Sequence, residues 1–90
     1  MNVENMTSTS GNKVANQFLI TDDDGNQYFQ SYESIIAKKS LDDGIIYLDS
    51  YYWDYSVTTG KYRNAFLGES IAETRKKIAS GRYFMANLNG

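Results

Sequence analysis

Aromatic side chains are concentrated in residues 50–68, which contain the only tryptophan and four of the eight tyrosines. Tyr51, Tyr52 and Tyr55 are so close together that they cannot all point inward from either a strand or a helix. Exposed tyrosines often anchor protein interfaces, and they stack on single-stranded nucleic acid when basic residues lie between them. The stretch therefore predicts a surface that binds a macromolecule, built from Tyr51, Tyr52, Tyr55, Lys61, Tyr62 and Arg63. The alternative is that Trp53 and about half of the tyrosines fill the gap between a sheet and its helices.

Aspartates form a second group with the capacity to recognise a charged partner. Residues 1–54 carry nine acidic and three basic side chains, whereas residues 55–90 carry two acidic and six basic ones. Carboxylates of the first part can imitate phosphate groups and compete for a basic groove on a nucleic-acid-processing protein. The aspartates with this potential are Asp22, Asp23, Asp24, Asp42, Asp43, Asp49 and Asp54. The alternative is that the two charged regions attract each other or are simply solvated.

The residue types that most enzymes use are absent or badly spaced. The chain has no histidine and no cysteine, which removes the commonest general base, the thiolate nucleophile and the nitrogen and sulfur ligands of zinc sites. The consecutive acids at 22–24 lack the alternate spacing of an EF-hand loop. Asp49 and Asp54 are paired carboxylates of the kind that glycoside hydrolysis uses. We expect no cleft for a sugar in a domain of 90 residues, so we do not assign them this role. We therefore predict a non-enzymatic protein without a cofactor or a metal.

The elements that must position these residues indicate an α+β fold. Alternating apolar residues predict short strands, and Asp, Asn and Gly between them predict tight turns. The four strands are residues 14–21, 27–32, 35–39 and 45–50, and residues 83–86 form a fifth at a sheet edge. Such strands form an antiparallel meander, which needs a cover on one face. We expect a four- to five-stranded antiparallel sheet covered by one or two short helices from the C-terminal third.

The first strand and the residues before it carry two further expectations. Residues 1–13 are mostly polar and show no hydrophobic period, so we expect a disordered tail followed by a single domain at 14–90. Strict alternation along residues 14–21 places Val14 and Phe18 on one face of the strand and Leu19 on the other.

Helix signals follow residue 55. Ser70 and Glu73 have the spacing of a capping box, in which each side chain bonds to the other residue's amide, and Gly81 marks the end of that helix. Residues 56–67 support two interpretations. They form either a helix capped by Ser56 or a hairpin that turns near Gly60, and we favour the helix.

Seven short segments resemble a family of small uncharacterised proteins encoded by phages, prophages and mobile elements of Gram-positive bacteria. The segments are Tyr28-Phe29-Gln30-Ser31-Tyr32, Ser34-Ile35-Ile36-Ala37, Tyr52-Trp53-Asp54-Tyr55-Ser56, Thr58-Thr59-Gly60-Lys61-Tyr62-Arg63, Phe66-Leu67-Gly68-Glu69, Glu73-Thr74 and Lys76-Lys77-Ile78. The resemblance covers nearly all of residues 14–89. It implies a small accessory protein of a phage genome, where inhibitors of host defence are frequent, and it implies no site residues.

Together these features predict a phage accessory protein that binds a host protein or nucleoprotein complex. The expected target is CRISPR or restriction machinery, blocked by the acidic, tyrosine-rich surface. The alternative function is single-stranded nucleic-acid binding by the basic, tyrosine-rich second half. No apolar run approaches the roughly 18 residues that cross a bilayer, and we expect a soluble protein of the host cytoplasm without membrane contact. Self-association is a third possibility, and the sequence does not decide the oligomeric state because edge strands can be capped or paired.

Overall fold

Six strands form one sheet in which their order in space follows their order along the chain. The computed structural model describes residues 1–90. The strands are β1 (Asn2–Thr7), β2 (Lys13–Thr21), β3 (Gln27–Ser31), β4 (Ser34–Lys39), β5 (Ile46–Asp49) and β6 (Tyr83–Ala86). The helices are α1 (Val57–Leu67) and α2 (Ile71–Ala79). Neighbouring strands are antiparallel except β5 and β6, which are parallel because the two helices carry the chain back along the sheet between them. The predicted α+β class is confirmed, with a sheet of six strands.

The N-terminal residues belong to the sheet, so the expectation of a disordered tail at 1–13 is wrong. β1 pairs with β2 from Asn2 opposite Thr21 to Thr7 opposite Lys13. Its hydrophobic period is weak because β1 is an edge strand with mostly exposed side chains, and Met6 alone packs against the core. Backbone hydrogen bonds to β2, rather than burial, account for this strand.

The side chains of β2 do not alternate strictly between the two faces of the sheet. Val14 and Leu19 both pack against the core, although alternation places them on opposite faces. Asn16 lies between them with a φ of 65°, in the left-handed region, and this break in the extended backbone changes which side chains face inward. Gln17 consequently lies on the inner face, where it is fully buried.

Both helices begin at the predicted serines. Ser56 Oγ accepts a hydrogen bond from Thr59 N at 3.1 Å, and Gly68 ends α1 with a φ of 70°. The helical interpretation of residues 56–67 is therefore confirmed. Ser70 Oγ accepts from Glu73 N at 3.3 Å, but only this half of the expected capping box forms, since the Glu73 carboxylate lies 3.8 Å from Lys76 Nζ instead. Neither helix is long and apolar enough to cross a membrane.

The core lies between the helices and one face of the sheet. It consists of Phe29, Ile36, Ala37, Leu48, Tyr62, Phe66 and Tyr83. The rings of Phe29 on β3 and Phe66 on α1 are 6.0 Å apart, and the hydroxyls of Ser31 and Thr59 form a buried hydrogen bond of 2.9 Å beside them. These contacts fix α1 over β3 and β4. Trp53 packs against this core and is half-buried.

Candidate functional site

The structure places five of the seven predicted aspartates at the end of the sheet opposite Tyr51, Tyr52 and Tyr55. The β2–β3 and β4–β5 loops lie at one end because hairpin connections alternate between the two ends of an antiparallel sheet. We call this the acidic end; it carries Asp22, Asp23, Asp24, Asp42 and Asp43. The β3–β4 turn and residues 50–56 lie at the other end. The expected single surface that is both acidic and tyrosine-rich is therefore divided into two.

Several aspartates of the acidic end are occupied by hydrogen bonds within the fold. Asp22 accepts from the Asn26 backbone and side chain at 2.9 and 3.1 Å and from Tyr28 Oη at 2.9 Å, and the Asn26 side chain contributes most to the lowered pKa of this carboxyl. Asp43 accepts from Tyr47 Oη at 2.5 Å, which is the main cause of its lowered pKa. Asp22 and Asp43 therefore hold the two loops in shape. The remaining acids of this end, Asp23, Asp24 and Asp42, are exposed, and Asp23 forms an ion pair with the amino group of Met1.

Asp49 is not at the surface, although the sequence predicted it as a binding residue. It is 2% exposed and accepts four hydrogen bonds, from Tyr51 N, Tyr52 N, Leu88 N and Asn89 Nδ2. Burial raises the pKa of Asp49, but these hydrogen bonds outweigh it and lower the pKa overall. Asp49 thus ties residues 51–52 to residues 88–89, and because it is buried it is not accessible to a partner.

Tyr62 and Arg63 are also buried, which removes two members of the predicted binding surface. Tyr62 belongs to the core on α1. The Arg63 guanidinium donates to Trp53 O at 2.9 Å and to Asp54 at 3.0 Å, and it lies 5.3 Å from the Trp53 ring. Asp54 also pairs with the exposed Arg75. Of the basic, tyrosine-containing segment 61–63, only Lys61 is exposed, so this segment does not form a stacking platform.

A second buried carboxylate joins α2 to β6. Glu69 accepts hydrogen bonds from Lys77 Nζ at 2.6 Å, Thr74 Oγ1 at 2.6 Å and Tyr83 Oη at 2.8 Å. Burial raises its pKa, but the bonds led by Lys77 outweigh burial and lower the pKa overall. The pKa of Tyr83 is raised by burial and by the neighbouring carboxylate. Because every charge here has a partner within the cluster, we assign this cluster to the fold.

A cleft of about 490 Å³ opens at the end of the sheet opposite the acidic end, and we call it the tyrosine cleft. Three tyrosines line it: Tyr32 from the β3–β4 turn, and Tyr52 and Tyr55 from the loop before α1. Tyr52 makes edge-to-face contacts with Tyr51 at 4.7 Å and with Tyr55 at 5.3 Å between ring centroids. Tyr51 extends this aromatic cluster outside the cleft.

The tyrosine cleft has a buried base, which is partly polar, and an exposed rim. The base includes Ser31, Thr59 and Ile36, each of which is buried. The rim includes Tyr55, which is 64% exposed, and Glu33, which is also exposed. A concave surface with an aromatic rim and several polar groups at its base is typical of binding sites.

Backbone strain is concentrated at this cleft. Asn16 and Tyr32 are the two residues other than glycine with positive φ, at 65° and 56°, and both line the cleft. They are joined by a 2.7 Å hydrogen bond from Tyr32 N to Asn16 O. Asparagine adopts this conformation readily, whereas for a bulky tyrosine it is an outlier. Strain of this kind, worth about 1–3 kcal/mol per residue, persists mainly at functional sites.

A buried amide without partners lies next to the strained residues. Gln17 follows Asn16 on β2 and is paired in the ladder with Ser31, which lines the cleft. Neither polar atom of its side chain forms a hydrogen bond, although the residue is fully buried. A buried unpaired amide lowers stability by about 1–3 kcal/mol. Residues at and beside the tyrosine cleft are therefore not optimised for stability.

Tyr52 and Tyr55 are among the residues that the sequence predicts for the binding surface, whereas Tyr32 and Glu33 are not. These two residues form a two-residue turn between paired Ser31 and Ser34. Turns of this length normally contain glycine or asparagine at positive φ. The signal that identifies the site is therefore a very short predicted turn that contains neither residue type.

Hydroxyl side chains supply most of the polar groups of the tyrosine cleft. Ser31, Ser34 and Thr59 are the hydroxyl side chains that line it besides the tyrosines, and a hydroxyl nucleophile requires an adjacent base. The Ser31 hydroxyl is instead hydrogen-bonded to the Thr59 hydroxyl. No group of three or more acidic side chains is arranged to hold a metal ion.

Comparisons with known proteins place the chain in one family. Neither the curated proteins nor the solved structures include a match to this chain. The sequence profile of a family of unknown function (DUF8033) matches residues 1–83, which extend from β1 into the beginning of β6 and contain every residue that lines the tyrosine cleft. Because the match covers nearly the whole chain, the protein belongs to the DUF8033 family.

Proposed function

We propose that this protein is a non-enzymatic binding protein that holds a segment of a partner macromolecule in the tyrosine cleft. The observation that carries the proposal is the strained backbone of Tyr32, which places a large ring at the rim of the cleft. Asparagine or glycine at this position would adopt the same backbone at lower cost. The side chain of Tyr32 is therefore present for contact with a partner.

The exposure of the rings supports the same proposal. Tyr32 and Tyr55 are 54% and 64% exposed, so a partner that enters the cleft buries aromatic surface that the fold leaves in water. Tyrosine is well suited to this task because it offers a large, rigid and amphipathic contact area at a low cost in conformational entropy. Such residues commonly contribute most of the binding energy of an interface.

The partner that we propose is a host protein or nucleoprotein complex that processes nucleic acid, of the CRISPR or restriction type. The exposed and unpaired acids of the acidic end, Asp24 and Asp42, support this choice because they face solvent and are available to a basic groove. Occupation of that groove would block its nucleic acid and so inhibit the complex. In this proposal the tyrosine cleft supplies affinity, and the acidic end supplies charge complementarity.

Affinity capture from a lysate of Gram-positive host cells tests the proposal. We expect Tyr55→Ala to weaken capture of the partner by about tenfold or more, because truncation removes a tyrosine ring at the rim that is more exposed than that of Tyr32. Phe84→Ala is the matched control, since Phe84 is 47% exposed and lies on β6, away from the cleft. Equal capture by the wild type, Tyr55→Ala and Phe84→Ala would show that the cleft is not the binding site.

Titration with labelled single-stranded oligonucleotides at low salt separates this function from direct nucleic-acid binding. We expect no change in fluorescence anisotropy, because Tyr62 and Arg63 are buried and the tyrosine cleft carries a negative charge at Glu33. Binding that weakens steeply as salt is added would instead support a nucleic-acid partner.

A further inference from the structure

The charge of the tyrosine cleft identifies the class of group that it binds. Glu33 is the only charged residue among those that line the cleft. It is exposed and takes part in none of the ion pairs of the structure. The other carboxylates at this end of the sheet, Asp49 and Asp54, have partners within the fold. Glu33 is therefore a charge beside an aromatic cluster that no residue of the chain neutralises.

Aromatic rings and a free carboxylate favour the same kind of ligand. The face of a tyrosine ring carries partial negative charge and attracts a guanidinium or ammonium group. A carboxylate next to such rings adds a direct ionic contact and disfavours phosphates and other anions. The hydroxyl of Ser34 and the side-chain amide of Asn16, which line the cleft, provide hydrogen-bond acceptors for the N–H groups of a cation.

The chain itself shows that its rings are compatible with cations. Arg63 and Arg75 lie 5.3 and 6.0 Å from the Trp53 ring, and Lys38 lies 5.6 Å from the Tyr28 ring. No lysine or arginine is among the residues that line the tyrosine cleft. The one aromatic cluster with a free acid beside it therefore lacks an internal cation.

We propose that the tyrosine cleft binds the side chain of an arginine or lysine from the partner protein. The cation lies among Tyr32, Tyr52 and Tyr55 and forms an ion pair with Glu33. This inference rests on the proposed function and specifies its ligand. It adds a requirement that the binding function alone does not have, namely a basic residue in the segment of the partner that enters the cleft.

NMR titration with blocked amino acids tests the inference. The probes are the N-acetyl, N-methylamide derivatives of arginine, lysine and norleucine, which is a neutral analogue of lysine. We expect the arginine and lysine derivatives to give saturable shifts of backbone amide signals at residues 31–34 and 52–59, while the norleucine derivative gives none. Concentrations up to roughly 50 mM are needed, because a single side chain offers few atoms for binding.

Glu33→Gln separates the charge from the shape of the cleft. We expect this variant to bind the arginine and lysine derivatives about two- to fivefold more weakly, because an exposed ion pair contributes roughly 0.4–1 kcal/mol. Glu33 is exposed and unpaired, so the variant should fold as the wild type does. Equal affinity of wild type and Glu33→Gln, equal binding of the norleucine derivative, or no shift at the cleft with any probe would each overturn the inference.

The two proposals fail in different ways. If the cationic probes do not bind while capture of the partner still depends on Tyr55, the ligand class is wrong and the proposed function stands. If capture does not depend on Tyr55, the proposed function is wrong, whatever the probes show.

Discussion

Replacing Arg63 with alanine should lower the free energy of unfolding by about 3–5 kcal/mol, because it removes a buried cation that contacts the Trp53 carbonyl, the Asp54 carboxylate and the Trp53 ring. The side chain is 2% exposed and holds the Trp53 carbonyl and the Asp54 carboxylate through hydrogen bonds of 2.9 and 3.0 Å. Without it the carbonyl loses its donor, and a large cavity forms beneath the Trp53 ring. A domain of this size has a total stability of roughly 5–13 kcal/mol, so a large part of it should be lost.

Arg75→Ala is the matched control for this prediction. Arg75 contacts the same two residues, at 3.2 Å from Asp54 and 6.0 Å from the Trp53 ring, but its side chain is 64% exposed. Its removal should cost less than about 1 kcal/mol, since solvent screens an exposed ion pair. Urea unfolding of both variants gives the comparison. Similar losses for Arg63→Ala and Arg75→Ala would contradict the structural role of Arg63.

Asp49→Asn should lower the free energy of unfolding by about 2–4 kcal/mol at neutral pH, although the two side chains have nearly the same shape. Each carboxylate oxygen accepts two hydrogen bonds: Oδ1 from Leu88 N and Asn89 Nδ2, and Oδ2 from Tyr51 N and Tyr52 N. An asparagine has one acceptor oxygen, so its amino group must face two N–H donors. The tyrosine-rich loop or the C-terminal segment then loses its attachment.

The pH dependence of this loss has a definite sign. The pKa of Asp49 is lower in the folded state than its ordinary value of 3.8, so its contribution to stability is present above that value. The contribution is lost as the pH falls through the pKa of the folded state, and the difference between wild type and Asp49→Asn should shrink there. Asp42→Asn, at an exposed position, should change stability by less than about 0.5 kcal/mol. A difference for Asp49→Asn that grows on acidification would contradict this account.

Signals between neighbouring residues were sufficient to predict the elements whose ends are set by nearby residues. Ser56 and Ser70 begin the two helices and Gly68 ends the first, because capping depends on residues within one turn. The strand at 83–86 has the predicted bounds. β1 was missed because its main contacts are backbone hydrogen bonds to β2, which do not require a hydrophobic pattern.

Long-range contacts explain what the sequence did not predict about the site. The positive φ of Tyr32 depends on Asn16, which is distant in the chain and bonded to it across the sheet. The sequence predicts Asp49 at the surface, whereas in the structure it is buried and bonded to Leu88 and Asn89, which are distant in the chain. The sequence predicts Arg63 in a basic patch, whereas in the structure it is buried against Trp53 and Asp54 of the loop before α1. Tyr52 and Tyr55 were predicted because closely spaced rings cannot all be buried, which is a local argument.

The stability and the binding of Tyr32→Asn, measured on the same preparation, test the central claim most directly. Asparagine tolerates the left-handed backbone, and the tyrosine ring is 54% exposed, so the free energy of unfolding should stay within about 1 kcal/mol of the wild type or rise. Capture of the partner should fall by about tenfold or more. A variant that loses stability by more than this and still captures the partner at wild-type level would show that Tyr32 serves the fold and that the tyrosine cleft is not the binding site.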